Sequence, residues 1–382
     1  MNGIADIDQL FQGMVNRHEI PGVVASIANK DQLLYHQAFG KMDVANNVAM
    51  PKDAIFSIAS MAKPITSAAV MILSEAGELE LDDPISKYLP SRKHHQVITR
   101  FNDSDGTYLA QPAHTAITIR HVLTHTSGFG YGFSNHTWQR LLQNTEEEEE
   151  DAFPLLHEPG SRWTYGMGPR IIGKVVEEIT GERLDEFFST HIFAPLHMND
   201  TFYEIPHDKL SRWVTMHTRE EGILIEQPKP DVQQPSITGD GGLFSTARDY
   251  LAFLQMFLNG GTLHHSSILS DDSIAVMTRN QIGELVVEQQ PGADPAVSNA
   301  FPIGAGKDKF GLGFQITVAN YELSSLRSPG SYSWSGLFNT HFWVDPQKEI
   351  AAVILMQVLP FYDEACMRAY QNFEQLIYTH LN

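Results

Sequence analysis

Phe56-Ser57-Ile58-Ala59-Ser60-Met61-Ala62-Lys63-Pro64 stands at the head of a run, Ala62 to Leu79, that is apolar almost all the way round. Such a run predicts a helix buried in the centre of a fold. Lys63 follows Ser60 by three positions, so a helix beginning here sets the amine on the same face, one turn above the hydroxyl. A serine hydroxyl is a poor nucleophile until a neighbouring base takes its proton. Lysine, with a solution pKa of about 10.4, serves as that base only where burial or nearby positive charge depresses it. The apolar helix supplies the burial. Its start also offers free N–H groups and a positive dipole end where an oxyanion would form. Pro64 is tolerated in a first turn, which needs no N–H donor there. Ser-x-x-Lys alone arises in any amphipathic helix. What weighs for chemistry here is the cost of an unpaired lysine in apolar surroundings.

Working outward, two more stretches hold groups that this chemistry needs. Trp163-Thr164-Tyr165-Gly166-Met167 precedes a second helical pattern, Pro169–Thr180, which Gly181 stops. Tyr165 there suits either an aromatic plug or a hydroxyl offered to a cleft as a proton shuttle. Tyr332-Ser333-Trp334-Ser335-Gly336-Leu337 reads as a strand whose Gly336 permits close backbone approach. Its amides either complete an oxyanion hole with that of Ser60 or belong to an ordinary edge strand.

Hairpin patterns lie near both ends of the chain. Val23–Ala28 and Leu33–Phe39 flank Asn29-Lys30-Asp31-Gln32, and Thr340–Val344 and Ile350–Met356 flank Asp345-Pro346-Gln347-Lys348. A helix from about Asp363 to Leu381 follows the second. Met1 to Ile20 forms an amphipathic helix, with Ile7, Leu10, Phe11, Met14 and Val15 on one face. Between the ends the pattern is mostly helical with long loops. The expected fold is α+β: one antiparallel sheet built from residues 1–58 and 245–382, a mainly helical region over 59–244, and an active site in the cleft between them.

The 382 residues suffice for two domains and a sizeable core. At 42% hydrophobic and 19% charged the composition is that of a globular protein, with no apolar segment long enough to span a bilayer. The first residues lack a basic-then-apolar signal layout, which places the protein in the cytoplasm. Cys366, the single cysteine, rules out an intrachain disulfide and a thiolate cluster, and its neighbours Ala365, Ala369 and Phe373 make it a packing residue. A net charge of −20 argues against nucleic acid and against an anionic membrane surface. The acidic run Glu146–Asp151 lacks the glycine turn and ligand spacing of a calcium loop and reads as a solvated loop. His121 and His125 are four apart, yet no Glu accompanies them as in a zinc helix, so a structural role is expected. His94-His95 and His264-His265 are expected to face solvent. Ser127 is not in a Gly-x-Ser-x-Gly elbow, and Gly239–Gly242 fits neither a P-loop nor a dinucleotide loop. That glycine stretch is expected to allow tight backbone approach beside the cleft.

Taken together, the three chemical stretches resemble the serine β-lactamase and penicillin-binding-protein superfamily, in its class C β-lactamase-like branch, nearest to the family VIII carboxylesterases. The resemblance extends over nearly the whole chain. Beyond residues 56–64 it includes Leu79-Glu80-Leu81-Asp82-Asp83-Pro84, Ile117 to Gly128, Glu158-Pro159-Gly160, Pro195-Leu196-His197-Met198, Gly239 to Leu243 and Trp343-Val344-Asp345-Pro346. It implies a β-lactamase/transpeptidase-like fold with a central antiparallel sheet, a helical domain and a cleft between them. It also implies roles: Ser60 as nucleophile, Lys63 as its base partner and Tyr165 as the tyrosine that shares proton transfer. Trp334-Ser335-Gly336 stands in the place of Lys-Thr-Gly in β-lactamases and Trp-Gly-Gly in the esterases. Leu337 matches the position whose backbone N–H, with that of Ser60, faces the oxyanion.

The chain departs from the β-lactamase pattern where that pattern engages its substrate. Met167 replaces the asparagine of Tyr-x-Asn, and Trp334 replaces the lysine of Lys-Thr-Gly. Gly166 follows Tyr165 in place of serine, Arg170 sits where the esterases often carry Asp, and Ser335 replaces the first glycine of their motif. Trp334, Ser335, Gly336 and Met167 are therefore expected to contact substrate. The expectation is a carboxylesterase that cleaves short-chain acyl esters through an acyl-enzyme on Ser60, with no metal and no organic cofactor. An amidase or D-amino-acid peptidase, a β-lactamase-like hydrolase and an acyltransferase would use the same site. A binding protein that kept the fold without catalysis is the alternative of a different class.

Overall fold

A computed structural model describes residues 2–144, 153–229, 235–318 and 326–380; the acidic run Glu146–Asp151 lies outside them. Both hairpin patterns form and join into one eight-stranded sheet. From one edge its order is Lys309–Phe310, Gln315–Ile316, Tyr332–Gly336, Thr340–Asp345, Ile350–Leu355, Gly22–Ala28, Leu33–Asp43 and Val48–Ala49. Every pairing is antiparallel. The two chain ends meet at its centre, where Val24 stands opposite Leu355 and Ala28 opposite Ala351.

The central strands Gly22–Ala28, Thr340–Asp345 and Ile350–Leu355 are buried along their whole length. That explains their near-continuous apolar sequence, since successive side chains point to opposite faces and both faces are covered. Val23, Ala25, Ile27, Trp343 and Ile354 pack under the terminal helices Asn2–Asn16 and Glu364–His380. There Phe11 and Phe373 meet with ring centroids 5.5 Å apart, and Ile7, Phe11 and Met14 are buried on the expected face. Cys366 is buried in the same layer. Val24, Phe342, Val353 and Leu355 face the opposite way, into a larger core shared with the helix Ala247–Leu258 and with the region between the chain ends.

The buried helix runs Ala62–Glu75, shorter than the expected Ala62 to Leu79. Gly77, at φ 76°, takes the left-handed position that ends a helix, and Leu79 is buried beyond it in the following turn. Residues Ala62 to Met71 are buried without a break. The helix Gly168–Thr180 ends at Gly181 as expected, with φ 70°. Two hairpins within residues 59–244 are additions to the mostly helical expectation: Gln96–Phe101 with Tyr108–Pro112, and His217–Glu220 with Ile223–Glu226. The second carries Val358–Leu359 as a parallel third strand. Among the described residues no helix is long and apolar enough to cross a membrane.

Candidate active site

Ser60 lies in a tight 3-10 turn, Ala59–Met61, just ahead of the buried helix. The turn is pinned from both sides. Phe56–Ser57 pairs with Phe244–Ser245, the Ile58 N–H donates to the Leu243 carbonyl at 3.0 Å, and the Tyr250 hydroxyl donates to that of Met61 at 2.9 Å. Ala59 has φ 44°, a conformation that costs a non-glycine residue about 1–3 kcal/mol. The strain is held next to the serine by the strand pairing and hydrogen bonds on either side of the turn.

Two polar groups converge on the Ser60 hydroxyl. Lys63 Nζ is 3.0 Å from Oγ, and the Tyr165 hydroxyl is 2.7 Å from it. Lys63 is 1% exposed, and burial brings its pKa down to about 7, with Asp240 opposing the shift and Arg170 assisting it. The Lys63 amine also lies 5.1 Å and 5.0 Å from the ring centroids of Tyr131 and Tyr165, a distance at which ring faces attract a cation. Burial pushes the Tyr165 phenol well up, although its hydrogen bonds with Ser60 and Trp334 act the other way. Near neutrality the lysine is thus the group that can lose and regain a proton, and the tyrosine is a standing donor.

Tyr165 owes its position to its neighbours. A Cβ on Gly166 would fall 2.2 Å from the Phe129 carbonyl, so only glycine lets the loop run so close. The Thr164 N–H donates to the His125 carbonyl at 2.8 Å, and the His125 ring packs edge-on against Tyr165 at 4.7 Å. His125 is buried and pushed down by burial and by Lys63, hence uncharged. His121 instead closes its own helix start, its Nδ1 accepting from the Thr118 N–H at 3.3 Å. The structural reading of these two histidines is the one observed, and no group of His, Cys, Asp and Glu among the described residues is placed to hold a metal. His94, His264 and His265 are exposed. His95 differs from expectation: it is half-buried with its ring edge-on to Phe129.

The strand Tyr332–Gly336 forms the opposite wall. An added Cβ on Gly336 would lie 2.2 Å from the Ile58 carbonyl, so the end of this strand presses against the backbone that leads into Ser60. Trp334 is buried against Tyr165 at 5.2 Å and Phe310 at 5.3 Å. Ser335 Oγ is 2.7 Å from His341 Nδ1. Ser60, Tyr165, Trp334, Ser335 and Leu337 line one cavity, together with the rings of Phe133, Phe301, Phe361 and Tyr362. Met167 does not. It is 1% exposed, lies in the core at the head of the helix Gly168–Thr180, and is not part of the cavity wall. Where the sequence leads one to expect a substrate contact, the Met167 side chain packs in the core and its backbone N–H donates to the Gly130 carbonyl.

Three residues that the sequence left unassigned stand behind Lys63. Its Nζ donates to the Asp240 backbone carbonyl at 2.8 Å. The Asp240 carboxylate accepts from the Tyr131 hydroxyl at 2.6 Å and from Arg170 at 3.3 Å through each of two nitrogens. The tight backbone approach expected of Gly239–Gly242 is present, since a Cβ on Gly239 would sit 2.2 Å from the Pro169 carbonyl. The available signals were an acid between glycines and an arginine in place of an acid.

The structure thus combines an antiparallel sheet from both chain ends with a Ser-x-x-Lys turn that is hydrogen-bonded to a tyrosine at the edge of a cavity. The chain belongs to the Beta-lactamase family, whose pattern it matches over residues 7–377. It is 32% identical over 358 residues to Protein Rv1367c of Mycobacterium tuberculosis, covering 89% of this chain and 86% of that protein. It is 28% identical over 397 residues to the lovastatin esterase of Penicillium rubens, covering 97% and 98%. The solved structure of a simvastatin synthase (LovD6 mutant) from Aspergillus terreus superposes with a TM-score of 0.85 at 25% identity, over 99% of this chain and 95% of that one. Relatives named as esterases and as methylbutanoyltransferases both occur, so the family is one of β-lactamase-fold serine hydrolases and acyltransferases.

Proposed function

We propose that the protein is a serine carboxylesterase that cleaves short-chain, uncharged acyl esters through an acyl-enzyme on Ser60. The observation that carries the reading is the convergence of Lys63 at 3.0 Å and Tyr165 at 2.7 Å on one oxygen that opens into an aromatic cavity. Neutral Lys63, helped by Tyr165, takes the Ser60 proton as Oγ attacks the ester carbonyl. The N–H groups of Ser60 and Leu337 receive the oxyanion, since the Gly336 approach brings their two segments together. Tyr165 gives its proton to the departing alkoxide and is reprotonated from Lys63. Water then repeats the sequence on the acyl-enzyme, releasing the acid. No step calls for a metal or an organic cofactor.

The test is a panel of p-nitrophenyl acyl esters, anilides and cephalosporins, followed by mass spectrometry of the stalled enzyme. The proposal expects ester turnover and an acyl or phosphonyl mass on the peptide bearing Ser60. Turnover of the anilides alone, or a label at Ser127, would end it.

A second reading is acyl transfer, favoured by the relatives named methylbutanoyltransferases. Transfer differs only in the acceptor: an alcohol takes the place of water at the same acyl-enzyme. Adding alcohols of increasing size to the ester assay decides between them. Transfer product outrunning free acid at millimolar alcohol assigns the protein to the transferases.

A further inference from the structure

Lys63 is aimed by a backbone atom. Its Nζ lies 2.8 Å from the Asp240 carbonyl oxygen and 3.0 Å from Ser60 Oγ. A neutral amine has two N–H bonds and one lone pair. Donating one N–H to the Asp240 carbonyl leaves the lone pair free to turn to the serine hydrogen, with the rings of Tyr131 and Tyr165 flanking the nitrogen at 5.1 and 5.0 Å. The carbonyl therefore has to stay where it is. Yet it belongs to Gly239-Asp240-Gly241-Gly242, where three of four residues have no side chain to hold them and Gly242 sits at φ 84°.

Besides Lys63, three side chains reach that stretch from elsewhere in the fold. Thr66 Oγ1 donates to the Gly239 carbonyl at 2.6 Å. Tyr131 donates to one carboxylate oxygen of Asp240 at 2.6 Å, and Arg170 reaches both oxygens at 3.3 Å. We infer that Asp240, clamped by Tyr131 and Arg170, is the positioning residue that holds the Lys63 amine on Ser60. The inference rests on the Ser60–Lys63 reading proposed above.

The clamp carries charge as well as geometry. Burial pushes the Asp240 carboxyl up, but the Lys63 and Arg170 charges and its hydrogen bonds outweigh this and hold it below the ordinary carboxylate range. An ionised carboxylate beside Lys63 favours the ammonium form, which is useless as a base. Arg170, in the first turn of the helix Gly168–Thr180, opposes that field. The groups facing Lys63 are Ser60, Tyr131, Tyr165, Asp240, Arg170 and uncharged His125. Only Asp240 and Arg170 among these carry standing charges, and they oppose each other.

The two members therefore make opposite predictions, which a merely structural role does not. The measurement is the pH profile of kcat on p-nitrophenyl butyrate for the wild type and for Arg170→Met, Arg170→Lys and Asp240→Asn. Arg170→Met leaves the carboxylate unbalanced, so the acid inflection moves up by about one unit. Activity near pH 6 then drops about tenfold further than the alkaline plateau does, and Arg170→Lys restores the profile. Asp240→Asn removes the carboxylate that favours the ammonium form of Lys63, so the inflection moves down. Its plateau falls at least about tenfold with KM changed less than about twofold, because the carbonyl is no longer held. A uniform loss of kcat with an unmoved inflection in Arg170→Met overturns the inference, as do shifts of the same sign in both variants. If Asp240→Asn does not fold, the Arg170→Met and Arg170→Lys profiles decide alone. A fluorophosphonate label on wild-type Ser60 separates the two levels. Its absence overturns the esterase reading and this inference together; its presence with coincident profiles overturns only the clamp.

Discussion

At Ser60 two groups of opposite proton affinity meet on one oxygen. Burial draws the Lys63 amine down to about 7 while it pushes the Tyr165 phenol up. Ser60→Ala should thus abolish ester hydrolysis and leave the melting temperature within a degree or two, since alanine suits the turn and the helix behind it; a variant near wild-type turnover would contradict the assignment. Lys63→Ala and Tyr165→Phe should each lower kcat at least ~10²-fold, the scale of a lost general base or acid. The double variant should be little worse than either, as for groups acting as a unit; losses that multiply would show two independent roles. The sign of the pH effect follows from Lys63. Its neutral form is the active one, so kcat/KM should fall as pH drops through about 7 and the ammonium form fills. A rate that is flat from pH 5 to 9 would exclude Lys63 as the base. The pairing of Ser60 with Lys63 is legible in their spacing, a local signal, whereas Tyr165 joins them through the family resemblance, since its own stretch suits an aromatic plug as well. Tyr131 and Asp240 were not: they meet each other across 109 positions and Asp240 meets Lys63 across 177, and only the fold brings such groups together.

Among the elements, the strand Tyr332–Gly336 and the turn Ala59–Met61 are fitted to each other through one missing side chain. The Ile58 carbonyl and Thr340 Oγ1 occupy the space that a Cβ on Gly336 would need, at 2.2 and 2.3 Å. Gly336→Ala must push the strand off the turn or distort both, at a cost of about 1–3 kcal/mol for overpacking. The same shift moves the Leu337 N–H relative to Ser60. The variant should therefore melt lower and lose at least ~10² in kcat, the usual cost of one oxyanion donor, with KM little changed. Chemical denaturation and steady-state kinetics on one preparation check both effects. Wild-type kinetics with lowered stability would remove Leu337 from the oxyanion site. Strands and helices with strong periodicity were readable beforehand, including both hairpins and the Gly181 stop. The end of the buried helix was misread because Leu79 continues the apolar pattern after Gly77 has already turned the chain. The short hairpin His217–Glu220 with Ile223–Glu226 carries little local signal, and the strand that extends it, Val358–Leu359, lies over a hundred residues away.

For the whole molecule, charge and the lining of the cavity bear on the substrate class proposed above. The cavity that opens at Ser60 is walled by Trp334, Phe133, Phe301, Phe361 and Tyr362, and the cation that lines it, Arg327, is bonded to Glu374 at 3.1 Å. By the family resemblance, the indole of Trp334 stands where a β-lactamase offers lysine to a substrate carboxylate. Met167 adds nothing on that side, since it belongs to the core. A penicillin would thus bring its carboxylate into an aromatic wall, on a protein of net charge −20. Leaving a carboxylate without a charge-assisted partner costs a few kcal/mol relative to a site that supplies one. An uncharged acyl ester incurs no such loss and covers the same rings. Short-chain acyl esters should therefore be hydrolysed with kcat/KM at least ~10²-fold above penicillins, a difference of ~2.7 kcal/mol in barrier. Trp334→Lys tests the cause directly. Supplying a cation at that place should narrow the gap by raising penicillin turnover while lowering ester turnover. A wild-type enzyme that hydrolyses penicillins as well as it does esters would show that the aromatic wall does not exclude the carboxylate, and the substrate would then be a β-lactam.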